Sequence, residues 1–353
     1  MMKLFFKTMV FSQALGLLFL LAGCGKEKPW IDLPEIPLVE SEYICEVLDS
    51  AIVYHTAPYN AFTDLAFYDG SFYLTFRSAR EHGFDSTSSI KTMRSRDFIR
   101  WSEFSNNLEK GLDVRDPKFL LERDQLYLNY TTINPNIPIN KKQLRIFKID
   151  TGDKTSLFSG NYKSSDIWYW YTGIFQNEKL SMGYKDNHVA YYQVPQSSIP
   201  YPKCALDLPN SASEARFVTS QNRMYSAIRT KYKGILAVSD LSNICTAKLW
   251  QLPVYQLGGP NITVFDENHL LISGRELLEN NNSGKNVKTS LFLFNTKRNT
   301  ISKLLELPSF ADNGYAGHVI KNDTIFVSYY DLHVPTGKAV IKTARIKIVK
   351  KHA

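Results

Sequence analysis

One short unit occurs six times along this 353-residue chain: two segments that alternate apolar and polar residues, joined by a polar turn. Alternation with a period of two is typical of strands, so each unit predicts a β-hairpin. The turn centres are Asp69, Arg123, Asn177, Gln221, Glu267 and Asn322. They recur every ~50 residues, a period typical of β-propellers in which each repeat forms one four-stranded blade. The sequence therefore predicts an all-β, six-bladed β-propeller. The alternative, a β-sandwich, does not require the same register in all six copies.

The ends of these hairpins define two sets of positions that share one rim, because a hairpin returns to the face it left. The entry positions are Asp64, Asp116, Tyr171, Glu214, Asn261 and Tyr315, and the exit positions are Arg77, Tyr130, Tyr184, Arg229, Arg275 and Tyr330. In a propeller the innermost strands surround the axis, so we expect these side chains to meet at one mouth. Guanidinium groups bind anionic or polyhydroxylated ligands through a planar set of donors. The ring predicts a ligand site, with a purely structural ion-pair network as the alternative.

The first residues predict export. Lys3 and Lys7 precede an apolar stretch that ends in "LAGC", which is typical of a secretory signal and resembles the lipobox of bacterial lipoproteins. The resemblance implies cleavage after residues 1–23 and lipidation of Cys24; an ordinary signal peptide is the alternative. The apolar run is too short to span a membrane. We therefore expect a tether at 24–48, a propeller at 49–353, and a lipid-anchored protein of the bacterial cell envelope, with its membrane face left open.

Charge and residue spacing exclude several other classes. The net charge is +8, but the only basic cluster is the tail "KIVKK", so nucleic acid is not an expected partner. No His, Cys and Asp residues have metal-ligand spacing, and there is no phosphate-binding glycine loop, so we expect no metal or cofactor. Cys204 and Cys245 either form a disulfide or stay free, like Cys45. We expect a monomer that binds a glycan or oligosaccharide.

Two segments resemble the sialidase (neuraminidase) superfamily, in particular its secreted bacterial lipoprotein branch. "SRDFIRW", Ser95 to Trp101, is similar to an Asp-box, and "GYAGHVI…FVSYY" is similar to the last sialidase blade. The resemblance covers roughly residues 54–348. It implies that Tyr315 is a nucleophile and that Glu214, fifteen residues before Arg229, acts on that tyrosine. It also implies that Arg229 and Arg275 bind substrate, in a retaining mechanism with a tyrosine nucleophile.

The tyrosine chemistry follows from ordinary pKa values. A phenol has a pKa near ~10, and arginines near Tyr315 are expected to favour the phenolate while Glu214 accepts the proton. Two family positions differ: Thr63 stands where the resemblance implies an arginine, and Tyr330 where it implies the supporting glutamate. Arg77 is the candidate replacement for the lost charge. Sialic acid and a neutral or differently charged sugar both stay open as substrates.

The remaining site candidates divide by role. For the acid/base the loop "SAREHGFDSTSS" offers Asp85, and "DVRDP" offers Asp116. Other candidates for the sugar site are Asp64, Arg115, Trp170, Tyr171, His318 and Tyr330, with Trp168 and His82 nearby. Aromatic faces stack on the C–H surfaces of sugars, which is why "DIWYWYTG" is part of the prediction.

The function hypotheses belong to three classes. The first is a retaining exo-glycosidase that acts on a terminal sugar of an extracellular glycan. The second is a surface lipoprotein that binds glycans without turnover, and the third is a structural envelope protein. The fold alone does not separate them.

Overall fold

The computed structural model describes residues 32–139, 141–151, 155–162, 165–195, 199–209, 211–278 and 286–351. The predicted signal peptide, Cys24 and residues 24–31 of the predicted tether lie outside these residues. The described part contains twenty-four β-strands and no helix, so the all-β prediction is confirmed. Accordingly, no helix in these ranges is long and apolar enough to cross a membrane.

The strands form consecutive groups. β1 is Tyr43–Tyr54, and it precedes β2 (Tyr59–Tyr68), β3 (Ser71–Ala79), β4 (Ser89–Ser95) and β5 (Ser102–Leu108). The next group is β6 (Asp113–Glu122), β7 (Gln125–Ile133), β8 (Lys142–Asp150) and β9 (Thr155–Asn161). Then come β10 (Trp168–Phe175), β11 (Glu178–Lys185), β12 (His188–Val194) and β13 (Tyr201–Ala205). The following group is β14 (Ala215–Ser220), β15 (Arg223–Ile228), β16 (Lys233–Asp240) and β17 (Asn243–Tyr255). The last strands are β18 (Gly258–Val264), β19 (His269–Leu277), β20 (Val287–Asn295), β21 (Thr300–Leu307), β22 (Asn313–Lys321), β23 (Thr324–His333) and β24 (Lys338–Lys350).

These strands form a β-propeller in which four groups, β6–β9, β10–β13, β14–β17 and β18–β21, are separate four-stranded blades. The other eight strands form one sheet, so the prediction of six separate blades was wrong in this respect. The reason is a parallel pair between β2 and β24, Tyr59 with Ala339, which joins β2–β5 to β22–β24. Asn60 strengthens this junction, because its side-chain amide donates to the Ala339 carbonyl over 3.0 Å.

The sheets pack face to face, so their central strands are buried on both sides. Every residue of β3 is buried, and Leu180 and Met182 of β11 pack against Phe217 and Met224 of the next sheet. At the outer edge a disulfide between Cys204 in β13 and Cys245 in β17 links two neighbouring blades. Cys45 is the free cysteine of the described part.

The hairpin turns have the geometry that the repeat predicts. Five of the six turn centres have a positive φ, namely Asp69, Arg123, Asn177, Gln221 and Asn322. A positive φ is what the two-residue turns of antiparallel hairpins require, since their backbone matches the twist of the strands. The sixth turn, around Glu267, is longer.

A β-bulge near the start of the innermost strand recurs in five of the six hairpins and positions the site. The pairing register shifts at Ala61/Asp64, Arg115/Lys118, Tyr169/Tyr171, Gly258/Asn261 and Gly314/Gly317. In four of them the bulged residue has a left-handed φ: 62° at Phe62, 54° at Asp116, 58° at Gly259 and 51° at Tyr315. A bulge re-aims a side chain, and strained backbone of this kind is enriched at functional sites. Phe62, not Asp64 or Thr63, is therefore the equivalent of Tyr315 in the first hairpin.

Candidate active site

Tyr315 forms the centre of the site with Glu214 and Arg229. Its hydroxyl donates to Glu214 Oε1 over 2.7 Å, and Arg229 Nη1 donates to the same oxygen over 2.6 Å. Arg229 Nη1 also lies 3.5 Å from the Tyr315 hydroxyl. The structure thus brings together three residues whose positions in the chain lie up to 101 apart.

Glycine at 259 makes this arrangement fit. The Gly259 amide donates to Glu214 Oε2 over 2.6 Å, so both carboxylate oxygens of Glu214 are held. Its φ is 58°, and a Cβ there would lie 2.5 Å from the Tyr315 ring. A side chain at this position would therefore push the Tyr315 ring away from Glu214.

Arg275 covers the Tyr315 ring and is itself held by Asp312. The guanidinium lies 5.6 Å from the ring centroid, and Arg275 Nη1 donates to Asp312 Oδ1 over 3.0 Å. Tyr330 donates to the same oxygen over 2.6 Å. Tyr330 therefore does not replace a supporting glutamate directly but orients Asp312, which supplies the carboxylate. We call Tyr315, Glu214, Arg229, Arg275 and Asp312 the Tyr315 cluster.

Two residues of the first sheet complete the surroundings of Asp312. Tyr59 donates to Asp312 Oδ2 over 2.7 Å, and His82 Nδ1 lies 2.9 Å from that oxygen and 2.5 Å from the Tyr59 hydroxyl. Burial would raise the pKa of Asp312, but the hydrogen bonds from His82, Tyr330 and Tyr59 and the charge of Arg275 lower it far below its usual range. Asp312 is therefore an anion at every physiological pH.

The resting Tyr315 is a neutral phenol. Burial and the negative charge of Glu214 raise its pKa well above the ordinary value, and Arg275 and Arg229 oppose this without cancelling it. The arginines thus favour the phenolate, as expected, but burial and the charge of Glu214 outweigh them, so the resting hydroxyl keeps its proton.

Asp116 has the properties of a proton donor. It is buried, and Trp168 Nε1 donates to its Oδ2 over 3.0 Å. Burial raises the pKa of Asp116 to about 6; the charge of Lys118 opposes this rise and the charge of Glu214 adds to it. A carboxyl group with a pKa close to the working pH suits general acid/base catalysis.

Asp85 lies on the loop after β3 in a different environment. Its carboxylate accepts hydrogen bonds from the backbone and side chain of both Arg80 and Thr87. Burial would raise its pKa, but these bonds lower it far below its usual range. Asp85 is therefore fixed as an anion that orders the loop, which does not suit the role of proton donor.

Arg77 and Arg115 share Asp113, and we call these three residues the Arg77 cluster. Arg77 is fully buried and donates to Asp113 Oδ1 over 2.8 Å; Arg115 Nε donates to Asp113 Oδ2 over 2.6 Å. Both guanidinium groups also donate to backbone carbonyls of the loop at Glu81–Gly83. The structure places Arg77 in an internal ion pair, so it does not supply the missing third arginine.

Asp64 and its neighbours form a buried polar layer. Asp64 accepts from Arg216 over 3.0 Å and from the Phe119 amide over 2.8 Å, and Arg216 lies 4.5 Å from the Tyr171 ring centroid. His318 is buried, and burial together with the charge of Arg216 lowers its pKa to about 3. Asp64 and His318 are therefore buried, whereas Tyr171 is half-buried beside Arg216.

Trp170 is 2% exposed and packs its ring 5.5 Å from that of Tyr315. It therefore supports the nucleophile candidate from within the core. Its neighbour Trp168 is only half-buried and reaches Asp116, so Trp168 is the tryptophan that belongs to the site.

Sequence reasoning missed Asp312, Tyr59 and the contact of Trp168 with Asp116. The one available signal for Asp312 is its position directly before the "NGY" of the last hairpin. Among the described residues there is no cluster of His, Cys, Asp and Glu that could hold a metal ion.

Comparison with known proteins identifies the fold. No protein-family model and no curated protein sequence matches this chain. An α-L-arabinofuranosidase from Fusarium graminearum superposes with a TM-score of 0.66 at 9% identity, over 85% of this chain and 98% of that one. An α-L-arabinanase from Penicillium chrysogenum, bound to arabinobiose, gives 0.64 at 12% identity, over 85% and 98%.

A Trypanosoma rangeli sialidase mutant gives a TM-score of 0.58 at 10% identity and covers 88% of this chain, which spans 59% of that one. The chain therefore has the sialidase-like β-propeller fold of these three structures. At these identities the likeness concerns the fold alone. The lipoprotein branch and the Asp-box interpretation of Ser95–Trp101 stay predictions.

Proposed function

We propose that this protein is a retaining exo-glycosidase that removes a terminal sugar from a glycan, with Tyr315 as the nucleophile. The observation that carries the proposal is the contact of 2.7 Å between the Tyr315 hydroxyl and Glu214 Oε1, with Arg229 on the same oxygen. A nucleophile within hydrogen-bond reach of a base, which is itself oriented by a third group, is the arrangement that covalent catalysis requires.

In the first step the Tyr315 oxygen bonds to the anomeric carbon while the bond from that carbon to the leaving oxygen breaks. The phenol proton passes to Glu214, and Asp116 gives its proton to the leaving oxygen. In the second step the water oxygen bonds to the anomeric carbon while the bond from that carbon to the Tyr315 oxygen breaks. Asp116 takes the water proton, and Glu214 returns its proton to the Tyr315 oxygen. Each group ends as it began, so the cycle balances.

The fold supports the proposal because it can bring the ends of the hairpins together at one side of the propeller. We propose that the eight-stranded sheet acts as two blades, β2–β5 and β22–β24 with β1, which completes a sixfold ring. Support comes from the single parallel residue pair that joins the two groups. Such a ring directs the entry of every innermost strand toward one mouth.

The test uses the full-length protein with a panel of sialylated, uronic-acid and neutral oligosaccharides, and follows released sugars by mass spectrometry. We expect one sugar to be released by the wild type and not by Tyr315→Phe. Tyr329→Phe is the matched control, because it removes a hydroxyl that contacts Ser50 and Pro308 instead of Glu214. Binding of a glycan without release by the wild type would contradict the enzyme and favour a glycan-binding protein.

We also propose that Cys24 carries a lipid that holds the protein in the bacterial cell envelope. The sequence "LAGC" supports this, and the Cys204–Cys245 disulfide fits an oxidising compartment. Mass spectrometry of membrane-extracted protein should find a lipid on Cys24, and Cys24→Ser should release the protein into the soluble fraction. Recovery of an intact chain with residues 1–23 would contradict the proposal.

A further inference from the structure

The four arginines of the Tyr315 cluster and the Arg77 cluster are already paired with carboxylates of the chain. Glu214 pairs with Arg229, Asp312 pairs with Arg275, and Asp113 pairs with both arginines of the Arg77 cluster. A site that selects a carboxylate ligand keeps cations without internal partners for it. None of these four arginines is such a cation, and Lys118, which lies over the Trp170 ring, is only 3% exposed and donates to the Pro117 carbonyl.

The Asp312 carboxylate occupies a set of hydrogen-bond donors that could otherwise bind an anionic ligand. Its two oxygens receive Arg275 and the hydroxyls of Tyr330 and Tyr59, which are donors from three different parts of the chain. His82 also faces it, with Nδ1 at 2.9 Å. The side chain of Asp312 is still 26% exposed, and that of Arg275 is 18% exposed. The carboxylate is thus at least as accessible to a ligand as the guanidinium with which it pairs.

The position where a third cation would stand is apolar. Phe62 packs its ring 4.8 Å from that of Tyr315. Thr63 turns inward, because its hydroxyl donates to the Tyr315 carbonyl over 2.8 Å and accepts from Ser328 over 3.1 Å. A substrate carboxylate placed here would meet an aromatic ring and the negative charge of Asp312.

We propose that Asp312 is a specificity-determining residue that occupies the anion position of Arg275, so that the site accepts an uncharged terminal sugar and excludes uronic and sialic acids. This inference rests on the glycosidase function proposed above. Only Nη1 of Arg275 is used by Asp312 and only Nη1 of Arg229 by Glu214. The remaining N–H groups suit the hydroxyls of a neutral sugar, which accept hydrogen bonds without adding charge.

The test compares matched pairs of aryl glycosides that differ only at C6, such as galactoside with galacturonide and glucoside with glucuronide, together with an arabinofuranoside and an aryl sialoside. The variants are Asp312→Asn, which keeps shape and removes the charge, and Asp331→Asn. Asp331 is the matched control because it loses the same charge in the same strand group but pairs with Lys342. We expect the wild type to cleave a neutral member, and Asp312→Asn to raise the ratio of acidic to neutral kcat/KM about tenfold or more.

A second measurement does not depend on turnover. Asp312→Ala leaves a carboxylate-sized gap beside Arg275, so formate should raise the Tm of this variant and not that of the wild type. Cleavage of the acidic members by the wild type, or an unchanged ratio in Asp312→Asn, would overturn the inference and leave the glycosidase standing. No cleavage of any glycoside or natural glycan by the wild type would overturn the glycosidase proposal and this inference with it.

Discussion

The Tyr315 cluster and the Arg77 cluster both contain arginines from equivalent strand positions, but these arginines differ in exposure. In the Tyr315 cluster the side chains of Arg229 and Arg275 are 30% and 18% exposed, whereas Arg77 in the other cluster is 0% exposed. All three lie within two residues of the end of the second strand of a hairpin. The difference lies in their partners: Arg77 faces a neighbouring sheet that offers the buried Asp113, while the other two face the bulged Tyr315. Equivalent positions in the repeat therefore predict where the backbone places a residue, but they do not predict which residues its side chain contacts.

Glu214→Gln gives the largest expected effect on turnover. It tests whether the Tyr315 cluster, unlike the Arg77 cluster, takes part in the reaction. The amide cannot take the Tyr315 proton, so we expect kcat to fall by about 10³-fold with little loss of stability. Glu276→Gln is the control, because Glu276 is also buried but contacts Ser290 and Lys303. The measurement is steady-state release of the sugar identified above. A loss of activity under tenfold would show that Glu214 is not the base.

Arg77→Met tests the supporting cluster. Removal of Arg77 leaves the buried Asp113 with Arg115 as its remaining arginine partner, so we expect a loss of about 3 kcal/mol of unfolding free energy, the lower end for a broken buried pair. Urea unfolding measures the loss. Arg229→Met, at a more exposed pair, should lose less stability and more activity. If Arg77→Met instead kept its stability and lost glycan affinity, Arg77 would be a ligand-binding residue after all.

Asp116→Asn sharpens the comparison between the two acid/base candidates. With a pKa of about 6, Asp116 is the protonated acid below that pH and loses its proton above it. Turnover by the wild type should therefore decline as the pH rises through about 6. The variant should be slower by about 10²-fold and should lack this limb of the profile. A limb that persists in Asp116→Asn would assign the titration to another group.

Asp85→Asn should have the smallest effect. Its hydrogen bonds order the loop, so we expect a loss of about 1–3 kcal/mol in unfolding free energy and turnover within about threefold of the wild type. Because folding lowers the pKa of Asp85, its contribution is present above the unfolded carboxyl pKa of about 3.9 and is lost as the pH falls below it. The stability difference between wild type and variant should thus shrink in acid. A large loss of turnover at neutral pH would restore Asp85 as the acid/base.

The sequence was informative where a local pattern determines the structure. Alternation and turn residues predicted the hairpins, and the resemblance implied that Glu214 acts on Tyr315, a contact that the structure contains. The β-bulges were not visible in the pattern. They add residues at the strand entries, so Asp64 is displaced from the position equivalent to Tyr315 and pairs with Arg216.

Long-range partners explain the other misses. Asp312 contacts Tyr59 and His82 across 253 and 230 residues of chain, and Asp116 meets Trp168 across 52. Nothing in the residues next to Asp312 specifies such neighbours. The blade count failed for a similar reason, since the pair of Tyr59 with Ala339 joins the two ends of the described fold.

The pairing of β1 with β24 has a consequence for the order of folding. β1 pairs with β24 from Tyr43 opposite Lys350 to Tyr54 opposite Ile341, so the first strand is completed by the last. A chain made from its N-terminus exposes β1, with its unpaired edge, until nearly all other strands have been synthesised. Contacts of such long sequence separation form slowly. We therefore expect the eight-stranded sheet to be completed last, after the four separate blades have had time to form.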